Sequence, residues 1–295
     1  MRRNVVVWLV ALLTTIGIPG VAQVPPPPAR WQRRSAGVTP PLALFHSTHV
    51  FHLPTAEVLR AREFEVVIAH RFGTPVSGGI ANFFGLDGPA NIRLSLAYAP
   101  SDHLLVTLGR SNWHDNVDLS LKWRAFSIRS RTLPLAVAVA AGGAWNTEMP
   151  LRRAADKRNL QFFAQLIVNT MVGQHVALGV VPSYLRNPAP EANVAADALT
   201  LGAYTDIYLS PMWALVGEWN MSAPQPGFPD YDHDALAFGV QLETGGHFFK
   251  LLVTNNPSPN ESQYLAGAPY STAPREWRLG FNITRLLGGK RPAPQ

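Results

Sequence analysis

Over a series of short stretches, every second residue of this chain is uncharged, and that period restricts the fold more than any other feature. In 91–110, Ile92, Leu94, Leu96 and Tyr98 fall on one face of an extended strand, with Arg93, Ser95 and Ala97 on the other. Pro100, Ser101 and Asp102 make a turn, since Pro has no amide to donate and Ser and Asp accept from the turn's own backbone. The chain returns over 103–110 with Leu104, Val106 and Leu108 on the apolar face, which completes an antiparallel hairpin. The pattern recurs in twelve candidate strands, near 63–72, 91–99, 103–110, 116–126, 134–142, 159–170, 174–185, 199–209, 212–221, 234–243, 247–255 and 276–285. Their shared phase holds residues such as Phe64, Val66, Ile68, Leu119, Leu121, Phe162, Leu166, Leu178, Val180, Phe238, Val240, Leu251 and Phe281, with no Asp, Glu, Lys or Arg. Lys or Arg at the midplane of a membrane barrel costs about 2–4 kcal/mol, so lipid selects such a band. Charged residues make up 15% of the chain, against roughly 25% in soluble domains.

The connections carry a second signal. Those at 73–90, 143–158, 186–198, 222–233 and 256–275 are long, and those at 100–102, 171–173, 210–211 and 244–246 are short. Only 111–115 and 127–133 break the alternation. Outer-membrane barrels have short periplasmic turns and long external loops, whereas a soluble sandwich gives every second connection no reason to be long. An even strand number keeps both ends of the barrel in the periplasm, so the long loops are expected outside, with Ser258 facing the medium. In that orientation Tyr98, Trp123 and Trp213 sit at the periplasmic strand ends and Tyr184, Trp219 and Trp277 at the external ends. These are the two aromatic girdles of a membrane protein. The expected fold is all-β: a transmembrane antiparallel up-and-down β-barrel of about twelve strands with a short irregular N-terminal segment. Buried aromatics of a soluble β domain are the competing account.

Residues 1–22 have the form of a secretory signal: Arg2 and Arg3, an apolar run from Val5 to Ile18, and small residues at Gly20, Val21 and Ala22 before Gln23. An uncleaved anchor is the alternative, but the run is short of the roughly 20 residues of a spanning helix. Cleavage removes two of the six net positive charges, leaving a balance too mild to argue for nucleic acid. No other stretch approaches a transmembrane helix, so a membrane span must be built from strands. The chain has no cysteine, which excludes disulfides, a cysteine metal site and export by lipid anchoring. Residues 23–62, with Pro25–Pro28, are expected to form a periplasmic N-terminal segment with a short helical turn near 54–62. The barrel follows over 63–286, and 287–295 is a C-terminal tail. His46, His49 and His52 are spaced like ligands, but on a strand His49 points away from the other two and no carboxylate lies near in sequence. No metal or cofactor is expected.

The phase opposite the apolar one carries Glu65, Arg71, Arg93, Asp118, Lys122, Arg124, Asp206, Glu218, Glu243, Lys250 and Arg278. Inside a lumen these form either a selective constriction or a structural network, and an unpaired buried charge is strongly unfavourable. Small residues on that phase, among them Ala69, Ala97, Gly109, Gly179, Gly202, Ala237 and Gly239, leave room for a passage. Arg71 and Asp87 flank the first long loop and are candidates to latch it into the mouth; turn chemistry at the adjacent glycines is the plainer account. Ser111, His114 and Asp115 cluster in a short loop, but a serine and histidine three residues apart in a turn rarely align for catalysis. The chain has no G-x-S-x-G and no H-E-x-x-H, so no catalytic residue is assigned.

The segments LPTAEVL (53–59), FEVVIAHRFG (64–73), FFGLDGPANIRLSLAY (83–98), LGRS (108–111), GGHFFKLLVTN (245–255) and EWRLGFNITR (276–285) resemble the DUF5777 family of bacterial β-barrel proteins of unknown function. The resemblance implies a membrane barrel and no particular activity. The chain departs from a common barrel feature by running past Phe281 to Gln295 instead of finishing in a terminal aromatic. Location in the cell outer membrane is expected, with outer-membrane lipid, the barrel assembly machinery and small solutes as partners. A narrow pore or passive small-solute channel is the favoured function. The alternatives are a structural barrel with a plugged lumen, or a lipid hydrolase working through Ser111 and His114.

Overall fold

The computed structural model describes residues 42–191, 196–222 and 231–288. The signal sequence, the Pro25–Pro28 run and the end of the tail lie outside the described residues. Twelve strands form one closed barrel in which each pairs antiparallel with its neighbours in sequence, and the first pairs with the last. They are β1 (Phe64–Pro75), β2 (Ala90–Ser101), β3 (Leu104–Ser111), β4 (Asn116–Ile128), β5 (Leu135–Asn146) and β6 (Leu160–Val172). The circle continues with β7 (Val176–Arg186), β8 (Asp197–Tyr208), β9 (Trp213–Met221), β10 (Ala235–Thr244), β11 (His247–Thr254) and β12 (Arg278–Leu287). Closure runs through the β1–β12 register, Phe64 opposite Leu287 and Arg71 opposite Gly280. No strand edge is left unpaired in the barrel, which is what a lipid environment requires of strands.

The alternation sets the two faces. Ile68, Leu94, Leu96, Leu119, Leu121, Phe162, Val180, Phe238 and Leu251 are exposed on the outside, while Glu65, Arg71, Lys122, Asp206, Glu218 and Lys250 are buried within. Charges on the outer face stay near strand ends, where Arg186 meets Asp197 and Arg110 meets Asp115. At the β10–β11 turn, Gly245 and Gly246 both take positive φ, a conformation that a side chain would strain.

Two segments expected outside the barrel lie within it. Residues 42–59 do not hang free: Leu44, Phe45, Val50, Phe51, Leu53, Ala56 and Leu59 are all buried. The segment folds as a hairpin-like loop, with Thr55 N donating to Thr48 O, and 54–60 are irregular where a helical turn was expected. It rests against inward apolar residues of β6 to β9, including Phe163, Ile167, Val181 and Tyr204. The connection between β11 and β12 also turns inward, carrying a short helix α1 (Glu261–Leu265) whose Tyr264 and Leu265 are fully buried. Ser258, expected on an external loop, is only 4% exposed for this reason.

Candidate functional site

The inward charges converge on the backbone of the inserted segment. An irregular chain has no ladder partners for its amides and carbonyls, and burying them unpaired is costly. Strand-borne charges supply what is missing. From β9, Glu218 Oε2 accepts from the amides of Phe51 at 3.1 Å, His52 at 2.9 Å and Leu53 at 2.9 Å. Its other oxygen lies 2.7 Å from His52 Nδ1, and His52 Nε2 accepts from Arg71 Nε at 3.0 Å. These two contacts set the histidine tautomer, with the proton on Nδ1. Arg71 also donates to Asn282 Oδ1 at 2.8 Å, and Asn282 returns a bond to Phe51 O. The His52 ring lies flat on Tyr264 of α1, 4.0 Å away, which joins the two inserted segments.

Two lysines clamp the carbonyls. Lys250 Nζ donates to Ser47 Oγ at 2.8 Å and to the carbonyls of His49 and Val50 at 2.5 and 2.6 Å, which uses all three ammonium protons. Lys122 Nζ donates to Thr48 O at 2.7 Å and Thr55 O at 2.9 Å. Toward the short-turn end Glu57 accepts from Leu44 N and pairs with Arg124, which also donates to Leu42 O. His46 pairs with Glu243 at 2.7 Å. Polar neutral groups complete the set: Asn169 accepts from Ala56 N, and Tyr204 donates to Pro54 O.

Other expected site residues do different work. Arg93 forms a pair with Asp118, and Asp206 receives Tyr208. Arg278 sits near the rim, bonded to Gly73 O and lying over the Tyr270 ring. The Arg71–Asp87 latch does not form, because Arg71 is engaged by His52 and Asn282 deep in the lumen while Asp87 is exposed in its loop. The six girdle aromatics project outward: Trp123 and Trp213 are half exposed near the short-turn end, where Tyr98 packs on Phe64, and Tyr184, Trp219 and Trp277 lie toward the other. Ser111 is buried with its hydroxyl toward Trp113 O, and His114 pairs instead with Glu191 at 2.8 Å. His46, His49 and His52 go to separate partners, and among the described residues no three such groups gather as metal ligands.

The residues that sequence reasoning missed are the inserted ones and their apolar counterparts. A signal for them exists. In β6 and β7 the inward phase carries Phe163, Ile167, Val181 and Leu185 among its polar residues, and large apolar side chains on a lumen face require an apolar partner. LALF at 42–45 and VF at 50–51 are that partner.

A family model described as a membrane-bound beta barrel domain (DUF5777) matches residues 45–287, including all but the first three residues of the inserted segment. No curated protein matches the chain. Among solved structures, the chain is similar to the NanC porin, at 7% identity and a TM-score of 0.49, covering 77% of this chain and 100% of that one. It is similar to Omp33 of Acinetobacter baumannii at 10% identity and a TM-score of 0.39, covering 77% and 98% of the two chains. LpxR of Salmonella typhimurium shares 10% identity at a TM-score of 0.36, with coverage of 76% and 99%.

Proposed function

Because the chain belongs to the DUF5777 family of membrane-bound β-barrels, we propose that it works in the bacterial outer membrane as a barrel closed by its own chain. The barrel end that carries the long connections faces outside, and the end with the short turns faces the periplasm. The observation that carries this reading is the clamp on the inserted segment: Glu218, Lys250 and Lys122 each bind several backbone groups of residues 47–55. A passive channel gains nothing from filling its lumen with a segment held in this way. The closed barrel is a scaffold, or a pore that opens only when the segment leaves.

The permanently open small-solute pore is the second reading, favoured by the polar space left between the segment and β1 to β4. Planar-bilayer recording separates the two. The intact protein is expected to be silent, and a variant lacking 42–59 that still migrates differently in gels before and after boiling is expected to conduct. Steady current from the intact protein contradicts the closed barrel. Orientation is tested with single cysteines in the cysteine-free chain: Leu151→Cys, at a fully exposed position, labels on intact cells and Ser101→Cys does not.

A further inference from the structure

On the β1–β4 side of the inserted segment, the lumen keeps a cavity of about 90 Å³. That is room for several waters or one small organic molecule. It is lined by Ser95, Thr107 and Ser120, by His49 and His52 of the segment, and by Glu261 of α1. Glu65 also lines it and is 2% exposed.

Three buried atoms of these residues have no hydrogen-bond partner: Glu65 Oε2, His49 Nε2 and Glu261 Oε1. Their chemistry is fixed by their neighbours. Thr48 spends its hydroxyl proton on Glu65 Oε1 at 2.6 Å, so its oxygen, 3.1 Å from His49 Nδ1, accepts from that nitrogen. His49 Nε2 is therefore a lone-pair acceptor. The two carboxylate oxygens are acceptors as well. Of the cations in the lining, Lys122 is held by two carbonyls of the segment and Arg93 by Asp118. The unpaired buried atoms of the lining are therefore all acceptors.

From this we propose that the cavity is a binding site for a small protonated amine, whose N–H groups satisfy Glu65, His49 and Glu261. The site is a property of the folded lumen and stands whether or not the inserted segment ever moves. A primary ammonium fits it in size, brings donors for these acceptors and carries a charge opposite to that of Glu65. A quaternary ammonium matches only the charge, and a carboxylate matches neither charge nor donors.

The test is titration of the purified full-length protein in detergent with methylammonium, tetramethylammonium and acetate, followed by calorimetry or ligand-observed NMR. Saturable one-to-one binding of methylammonium alone is expected. Glu65→Gln is expected to weaken it about ten-fold or more, the size of a lost charge-assisted contact. Ser120→Leu fills the cavity without touching a charge and is expected to abolish binding, with the boiled and unboiled gel shift reporting that each variant is folded. Glu243→Gln, a lumen carboxylate that does not line the cavity, is expected to leave binding intact. Absence of methylammonium binding, equal binding of tetramethylammonium, or unchanged binding in a folded Ser120→Leu protein would each overturn the proposal.

Discussion

Along β6 to β9 the lumen wall meets the inserted segment with Phe163, Ile167, Val181, Leu185, Tyr204 and Val216, whereas along β1 to β4 it presents Glu65, Arg93, Ser95, Thr107, Ser120 and Lys122. On the first side Leu44, Phe45, Val50 and Leu53 pack as in the core of a soluble protein. The fit there is close: a Cβ at Gly202 would fall 2.6 Å from Leu53 Cδ1, so glycine at this position is what admits the leucine. Directed bonds hold the segment on both sides, from Glu218 and Asn169 on the first and Lys122 on the second, but space remains only on the second. One lumen thus holds a closely packed interface and a looser polar one that leaves acceptors unpaired. The hydrophobic effect accounts for the first and gives no directional preference. Register is supplied by the charges, because each one binds particular backbone atoms.

The largest effect is expected at Glu218, which holds the segment from the packed half. Glu218→Ala strands three segment amides and removes the partner of His52, and breaking a buried charged set of this kind costs about 3–5 kcal/mol. Denaturant unfolding in detergent measures it, and a loss well under 1 kcal/mol would mean that the segment is not held by this clamp.

A matched pair of truncations sharpens the contrast. Leu53 is fully buried on the packed side, and Leu105 lines the polar cavity. Leu53→Ala is expected to cost about 3–5 kcal/mol, at the high end for a leucine in a dry core, and Leu105→Ala about 2 kcal/mol, because the new space joins an existing polar one. Equal losses would erase the distinction between the halves.

A smaller test exchanges hydroxyls. Ala138→Ser, on the packed side at 0% exposure, places an unpaired hydroxyl in an apolar interface and is expected to destabilise by about 1–3 kcal/mol. Ser120→Ala, at the cavity, is expected to change stability by no more than about 0.5 kcal/mol. Comparable costs at both positions would show the packed side to be wetter than its contacts indicate.

Much of this architecture is legible in the sequence, and the part that is not has a physical cause. The outward face can be read because lipid excludes charge from it, so Leu94, Leu119 and Phe162 declare their side by period alone. The inward charges Glu218, Lys122 and Lys250 can be assigned to the lumen by the same period. What they bind there cannot, because their partners are backbone atoms, and a backbone carbonyl leaves no trace in the residue type. Arg71 illustrates the loss: its nearness in sequence to Asp87 suggested a latch, but the fold places His52 and Asn282 against it instead. The inserted segment was obscured by the proline run before it, which reads as a free tail. Its apolar residues Leu44, Phe45, Val50 and Phe51 are too few to show a period of their own. Ser258 is misplaced for a related reason, since length alone makes 256–275 look like an external loop although Tyr264 and Leu265 draw it inward.

Amide hydrogen exchange on the folded, detergent-solubilised protein tests most directly whether the segment is a built part of the lumen. The amides of Phe51, His52, Leu53 and Ala56 donate to buried side chains of the barrel wall, and that of Leu44 to Glu57 of the segment itself. Protection of residues 44–57 comparable to that of β8 and β9 is the predicted result, since such amides exchange only when the segment opens away from its partners. Exchange at the rate of an unstructured peptide, with the strands still protected, would contradict the account.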